Sequence, residues 1–264
     1  MSSPLRTTAD ALRRSARSLV VRSGREEQAR AVVGRVREAR SSFDPTTRRV
    51  LRDEHAMRVV LAAALRRDGN AVDVGANRGE TLEMILAVAP DGQHVAYEPI
   101  PALAEQLAAQ YPSVDVRNAA CSDEAGSAEF THVLNAPAMS GLRQRADLPA
   151  HAQEVERFAV RLDKLDEALP EGYVPSLIKI DVEGAELLVM RGAAETLARH
   201  RPFVIFEHGI GGADLYGSKP GELWDLLDGA GLRIFDLEGD GPYSRDRFEA
   251  VFSEPIWNFL AAPA

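Results

Sequence analysis

The sequence predicts an α/β protein with a Rossmann-like fold, in which a mostly parallel seven-stranded sheet carries helices on both faces. Strand-like and helix-like segments alternate from about residue 70 onwards, which is typical of a parallel sheet. A glycine turn, Gly75 to Gly79, joins the first predicted strand to the first helix. Glu98 follows the second predicted strand, where nucleoside-binding βαβ units place a carboxylate beside a ribose. These observations predict a nucleoside site at one edge of the sheet.

The length of 264 residues fits one α/β domain preceded by an extension. Residues 1–43 lack a clear apolar period and are predicted to form a basic arm that is mobile or loosely helical. Asp44 and Pro45 form a favourable helix start, because Asp can cap the first turn and Pro suits the first helical position. We therefore predict that the main domain spans residues 44–264.

Charge is unevenly distributed along the chain. Residues 1–70 hold 16 Arg and 8 acidic residues, a net charge of +8, so the remainder carries −17 of the total of −9. The acidic body argues against a nucleic-acid partner. The basic arm is open to two interpretations, contact with an anionic membrane or nucleic acid, or a solvated helical extension. No segment is apolar enough to be a transmembrane helix or a secretory signal, so a cytoplasmic location is expected.

The first βαβ unit shows its elements clearly. A strand-like segment over residues 71–74 leads into the glycine turn, where glycine lets the backbone approach a ligand closely. A helical stripe follows, and Pro90-Asp91-Gly92 ends it before the next strand. The stripe consists of Leu82, Ile85, Leu86 and Ala89.

The rest of the chain continues the alternation. Helices are predicted around 103–111, 187–197 and 220–229. Strands are predicted at 114–119, 127–133, 158–162, 176–181, 203–207 and 232–236, with closing strands at 251–252 and 257–260. Segment 134–156 is too long for a plain turn and is either a binding loop or a flexible surface loop. As a binding loop it would line an acceptor pocket with Met139, Ser140, Leu142 and Arg143.

Polar residues stand at the predicted carboxyl ends of the strands, where open parallel sheets bind their ligands. Ser122 and Asp123 follow the third strand and are placed to hydrogen-bond an adenine edge. The other candidates are Asp73 and Glu98, then Asp181 with Glu183 one turn into the next helix, and finally Glu207 and His208.

The residues of the glycine turn help to distinguish between two possible cofactors. A dinucleotide fold prefers Gly-x-Gly-x-x-Gly, so that a pyrophosphate can lie against the helix N-terminus. Here the central glycine is missing, and Asp73 would repel a pyrophosphate but suit a cationic amine and sulfonium. The string Asp73-x-Gly75-Ala76-Asn77-x-Gly79 is similar to motif I of S-adenosylmethionine (SAM) methyltransferases. A nicotinamide-dependent oxidoreductase and a non-catalytic SAM-binding scaffold remain as alternatives.

Further strings resemble the FkbM family of methyltransferases, over about residue 70 to the C-terminus. The most specific is Lys179-Ile-Asp-Val-Glu-Gly-Ala-Glu186, and the others are Tyr97-Glu-Pro99, Asn118-Ala-Ala-Cys-Ser-Asp123, Arg161-Leu-Asp-Lys-Leu165 and Pro202-Phe-Val-Ile-Phe-Glu207. The resemblance implies a class I methyltransferase fold and a SAM-dependent O-methyltransferase. The acceptor would be a small molecule or glycan. The methyl group would be transferred to a hydroxyl of a sugar, glycoconjugate or secondary metabolite. In that case Asp73, Gly75, Ala76, Asn77, Gly79, Glu98, Ser122 and Asp123 would bind the cofactor.

Transfer to a hydroxyl needs an aligned oxygen and a base. Asp181 is the first candidate, and the alternative is that it binds the SAM amine or caps the next helix. His208 is either a base or substrate contact, or a surface histidine, and Glu207 precedes it. For Glu186 we favour a structural role. No metal is included in the predicted site, although Asp181, Glu207 and His208 together have the chemistry for one. Neither the acceptor nor the oligomeric state follows from the sequence.

Overall fold

The computed structural model describes residues 45–144, 154–254 and 256–264, with side chains described from residue 51. Residues 56–264 form one compact unit, and residues 1–55 are grouped in another. The predicted arm 1–43 lies outside the described residues. A helix does begin at Pro45, as the Asp44-Pro45 pair predicts, while the domain boundary at residue 44 stays a prediction.

The elements are numbered in chain order. The strands are β1 Asn70–Val74, β2 Val95–Tyr97, β3 Asp115–Arg117, β4 Ala120–Cys121, β5 Gly126–Val133, β6 Val155–Asp163, β7 Pro175–Ile180, β8 Phe203–Glu207, β9 Leu232–Asp236 and β10 Asn258–Pro263. The helices are α1 Pro45–Ala64, α2 Glu80–Val88, α3 Pro101–Gln110, α4 Leu165–Ala168, α5 Glu186–Arg191, α6 Ala194–His200, α7 Pro220–Gly229 and α8 Arg245–Val251. Short 3₁₀ turns cover Pro137–Met139 and Ala213–Tyr216.

The main sheet has seven strands in the order β3-β2-β1-β7-β8-β10-β9. The first five of these pair in parallel, whereas β10 runs antiparallel to both of its neighbours. The predicted fold class, a mostly parallel seven-stranded sheet of the class I methyltransferase type, is therefore confirmed. The strand order reverses between β1 and β7, and ligands bind at such a switch point beside the carboxyl ends of the strands.

Both faces of this sheet are buried. Neighbouring residues along a strand point to opposite faces, so Ala71 and Leu177 join one core while Val72 and Ile178 join the other. The first core is covered by apolar residues of α1 and α2, and the second by those of α5, α6 and α7. Burial of this apolar surface, at about 25 cal/mol per Å², is the main force that holds the layers together.

A second sheet of three strands, in the order β4-β6-β5, was not foreseen from the sequence. β5 and β6 form an antiparallel ladder from Gly126↔Leu162 to Val133↔Val155. β4 pairs in parallel with the end of β6. Ser122 and Asp123 therefore follow β4 of this small sheet, and the expectation that they follow the third strand of the main sheet was wrong.

Three further expectations are corrected. Val251 ends α8, so the strand predicted at 251–252 is helical. The stripe predicted over 187–197 is split into α5 and α6 around Gly192, whose backbone lies so close to Ser122 that a Cβ would be 2.0 Å from the Ser122 carbonyl oxygen. The helix after β7 begins only at Glu186, so Glu183 lies in the connecting loop.

Candidate active site

A cleft of about 660 Å³, measured with its open mouth, lies at the carboxyl ends of β1, β2 and β7. One side is polar and includes Asn77, Glu98, Asp181 and Glu183. The remaining lining is largely apolar and includes Pro99, Ala119, Ala120, Cys121, Phe130, Pro137, Ala138 and Leu142.

The glycine turn forms the floor of this cleft. The backbone N–H groups of Gly75 and Ala76 both donate to the Tyr97 carbonyl oxygen at 3.0 Å. Gly75 has a φ of 82°, and a Cβ there would lie 1.9 Å from the Asp181 carbonyl oxygen, so only glycine lets β1 and β7 approach this closely. Gly79, with a φ of 81°, precedes α2.

Glu98 supports the turn from the neighbouring strand. Its Oε2 accepts the Asn77 N–H at 2.7 Å and its Oε1 accepts the Ile100 N–H at 2.8 Å. Burial raises the pKa of Glu98 to about 7, although these two hydrogen bonds oppose the shift. Among the described residues, the buried Asn77 Oδ1 finds no hydrogen-bond partner. The Glu98 carboxylate and the backbone N–H of Asn77 therefore meet at one corner of the cleft.

Asp73 is fully buried beneath the turn and does not line the cleft itself. Within the described part of the chain neither of its carboxylate oxygens has a hydrogen-bond partner, and its nearest cation is the Lys179 ammonium, 3.8 Å from Oδ1. Burial raises the pKa of Asp73, and Lys179 opposes the shift. Asp73 and Lys179 face each other because they are register partners in β1 and β7.

Lys179 also contacts Asp181, where its ammonium donates to Oδ2 at 3.0 Å. Burial lowers the pKa of Lys179, but Asp181 and Asp73 more than offset this, so the net shift is upwards and Lys179 stays charged. Glu207 lies at the end of the adjacent strand. The charge of Asp181, together with burial, raises the pKa of Glu207 well above its usual value. Asp181 lines the cleft, while Glu207 does not.

The loop after β7 is shaped by strained backbone and one buried carboxylate. Glu183 has a φ of 56°, which is unusual for a non-glycine residue. Glu186 Oε1 accepts the N–H groups of Gly184 and Val182 at 3.0 and 3.2 Å. Burial raises the pKa of Glu186 to about 7. These contacts support the structural role favoured for Glu186, and they place Glu183 in the cleft lining.

Among the predicted site residues, Gly75, Asn77, Glu98 and Asp181 line the cleft, whereas Asp73, Ala76, Gly79, Ser122, Asp123, Glu207 and His208 do not. Ser122 and Asp123 lie outside its lining, which instead includes the preceding residues Ala119 to Cys121. The His208 ring is 3% exposed and lies between Phe248, at 5.6 Å between ring centroids, and Phe252, at 5.0 Å. Burial there lowers the pKa of His208 to about 4. The expectation of a surface histidine, offered as an alternative, is wrong.

The small sheet and the segment that connects β5 to β6 form one wall of the cleft. The sequence predicted this wall only in part. Ser140 and Leu142 line the cleft as the binding-loop hypothesis requires, and Gly141, Phe130 and Pro137 join them. Met139 and Arg143 do not line it. Residues 145–153 of the same predicted loop lie outside the described residues. Phe130 was missed because its place depends on the β5–β6 ladder, a pairing without a local signature.

The described ranges contain neither a metal-binding cluster nor a membrane-spanning helix. No group of three or more His, Cys, Asp or Glu residues there is arranged to hold a metal ion. Among those same residues, no helix combines the length and the apolar character needed to cross a membrane.

The sequence was also compared with known proteins. Residues 73–234 match the methyltransferase FkbM domain family. Curated proteins give no match. A solved FkbM methyltransferase from Methylobacillus flagellatus KT is 15% identical, with a TM-score of 0.48, over 75% of this chain and 44% of that one. A TehB-like SAM-dependent methyltransferase from Corynebacterium glutamicum ATCC 13032 Kitasato is 13% identical, with a TM-score of 0.40, over 89% and 96% of the two chains.

The match to the family covers more than half of the sequence and includes the glycine turn, Glu98, Asp181 and Glu207. The chain belongs to the FkbM methyltransferase family.

Proposed function

We propose that this chain is a SAM-dependent O-methyltransferase that acts on a hydroxyl of a sugar, glycoconjugate or secondary metabolite. The observation that carries the cofactor assignment is the set of buried oxygen atoms around the glycine turn. Asp73 and Asn77 offer acceptor atoms that have no partner among the described residues. Such orphaned groups are costly in a folded protein unless a ligand satisfies them.

The residues present fit SAM in charge and in shape. Asp73 places a buried carboxylate below the turn, which suits a ligand such as SAM whose amine and sulfonium are cationic. Glu98 carries a carboxylate at the end of β2, where it can accept hydrogen bonds from ribose hydroxyls. The apolar lining of Pro99 and Ala119 to Cys121 is suited to an adenine ring. Ser122 and Asp123 keep their proposed adenine contacts only if the chain shifts there on binding.

SAM supplies an activated methyl group, so the protein must orient the acceptor oxygen and accept its proton. Asp181 is our candidate base, because it lines the cleft and is held by Lys179 at 3.0 Å. Glu207 lies at the end of the adjacent strand, where the charge of Asp181 and burial raise its pKa. Because Glu207 does not line the cleft, we assign it a supporting role beside Asp181. The position of His208 favours a packing role over a direct one.

Isothermal titration with SAM, S-adenosylhomocysteine and NAD tests the cofactor. We expect both sulfur compounds to bind and NAD not to bind, and binding of NAD alone would contradict the proposal. Methyl-tritiated SAM, incubated with a panel of glycosides and hydroxylated metabolites, tests the reaction. The label should survive mild alkali, because methyl ethers resist it and methyl esters do not. Release of all label by alkali would show that the acceptor is a carboxylate.

A further inference from the structure

The segment Ser140–Arg143, here called the strap, joins the small sheet to the main-sheet side of the cleft. On the small-sheet side it is held by backbone bonds between Thr131 and Gly141, at 2.9 and 3.1 Å. The Ser140 hydroxyl also accepts the Val133 N–H at 2.9 Å. These contacts fix the first half of the strap to β5.

The other half of the strap is held by the 3₁₀ turn that follows β8. The Arg143 N–H donates to the Tyr216 hydroxyl at 2.9 Å, and its Nη1 donates to the Leu215 carbonyl oxygen at 2.6 Å. The Arg143 guanidinium also lies over the Tyr216 ring, 5.3 Å from its centroid. We call this set of contacts the clasp.

The clasp lies next to the residues that line the cleft. A Cβ on Gly141 would be 3.2 Å from the Tyr216 hydroxyl and 3.8 Å from the Glu183 Cβ. The turn itself is supported from below, since Gly212 packs against the backbone of Gly184. The strap, the turn and the loop after β7 therefore form one continuous wall, and the clasp is the part of it made by an exposed side chain.

We propose that Arg143 and Tyr216 are positioning residues that hold the strap closed and thereby set how fast the cofactor enters and leaves. The inference rests on the proposed function, because it takes SAM as the ligand of the cleft. The strap lines the same cleft as the glycine turn and Glu98, so a ligand there is confined by both. Exposed hydrogen bonds and cation–π contacts are individually weak, so the clasp can open while the fold stays intact.

Surface plasmon resonance with the full chain and S-adenosylhomocysteine tests the clasp. Arg143→Ala and Tyr216→Phe remove different parts of it, and Arg143→Lys keeps the charge without the planar fork. We expect the association and dissociation rate constants of Arg143→Ala to rise together, by about threefold or more, while Kd changes by less than about twofold. The rate constants of Arg143→Lys and Tyr216→Phe should lie between those of the wild type and those of Arg143→Ala.

Arg247→Ala is a matched control, because Arg247 also lies over a tyrosine, 5.9 Å from the Tyr243 centroid, and its guanidinium pairs with Glu254 instead of the strap. Its rate constants should equal those of the wild type. Unchanged rates in the clasp variants, or a rise in dissociation alone, would overturn the inference, since a simple wall contact affects only dissociation. Absence of binding by the wild-type protein would instead overturn the proposed function, and this inference with it.

Hydrogen exchange in the wild-type protein gives a readout that needs no variant. Saturating S-adenosylhomocysteine should slow exchange of the Gly141 and Arg143 amides, because a bound ligand favours the closed strap. The amides of α8 should be unaffected. Equal exchange of the strap amides with and without the ligand would count against the inference.

Discussion

The Lys179 ammonium, only 6% exposed, donates a hydrogen bond to Asp181 at 3.0 Å from inside the main sheet. It is also the nearest cation to the fully buried Asp73, at 3.8 Å. One buried cation therefore stabilises a carboxylate on each side of the β1–β7 switch point. The first prediction follows from this arrangement.

Lys179→Met should lower the free energy of unfolding at pH 8 by about 3–5 kcal/mol, because it leaves Asp73 buried without a counter-charge. Urea denaturation monitored by circular dichroism measures the effect. Lys164→Met is the control, since Lys164 pairs with Glu167 on the surface and its loss should have a much smaller effect. Equal effects of the two substitutions would show that the buried Lys179–Asp73 pair contributes no more to the free energy of unfolding than the surface pair does.

Asp73→Asn should weaken SAM binding by about tenfold or more, because a neutral amide loses the attraction to the cofactor amine. The same variant should not be less stable than the wild type, since it removes a buried charge. Titration calorimetry and thermal melting give the two values. Asp123→Asn is the comparison, and its effect should be smaller because Asp123 Oδ1 already accepts the Ser122 hydroxyl at 3.2 Å, whereas both Asp73 oxygens lack a partner among the described residues. A larger loss of affinity in Asp123→Asn would restore the adenine contact expected from the sequence.

Asp181→Asn should lower kcat by about 10²–10⁴-fold while SAM affinity changes little, as expected for loss of a general base. The measurement requires an acceptor found by the labelling experiment. Glu207→Gln should act more mildly, because Glu207 does not line the cleft. If Asp181→Asn retained full activity, the base would have to be another group.

Glu186→Gln should stabilise the protein at pH 8 by up to about 3 kcal/mol, because the amide keeps the Oε1 acceptor and removes a buried charge. The folded-state pKa of Glu186 is raised from 4.5 to about 7, so its ionisation destabilises the fold above pH 7 and not below pH 4.5. The difference from the wild type should therefore shrink as the pH falls from 7 to 4.5. A difference that does not depend on pH would refute the buried-charge explanation.

His208→Phe should change the pH dependence of stability in the opposite sense to Glu186→Gln. Burial lowers the pKa of His208 from 6.5 to about 4, so the folded state binds fewer protons than the unfolded state between these values. The wild type should lose up to about 3 kcal/mol of stability as the pH falls through this window, and His208→Phe should lose less. Denaturation at pH 7.5 and pH 4.5 compares them. An identical pH dependence in both proteins would mean that His208 keeps its ordinary pKa.

Sequence patterns were sufficient for the main sheet and for the polar side of the cleft. The alternation of strands and helices is local, and so is the placement of Gly75 and Glu98 at strand ends. The small sheet depends on pairing between distant segments, such as Cys121 with Asp163, which no local pattern encodes. For the same reason Ser122 and Asp123 were assigned to the wrong strand end.

Side-chain environments were harder to predict than strand positions. Lys179 lies inside buried β7, and its partner Asp73 emerges only from the β1–β7 register. His208 was expected either at the site or on the surface. The aromatic packing that buries it comes from Phe248 of α8 and from Phe252, which was assigned to a strand at 251–252. Amphipathic helices with two adjacent apolar residues at the end, such as Val251 and Phe252, are easily mistaken in this way.

The position of β10 between β8 and β9 has a consequence for synthesis of the protein. β9 leaves the ribosome earlier than β10, yet within the described ranges β9 pairs in the sheet only with residues 258–263. Until those residues are available, β9 in the nascent chain lacks its neighbouring strand, and unpaired edges favour wrong association. Closure of this half of the sheet therefore waits for β10, and crowded nascent chains would benefit from a chaperone until then.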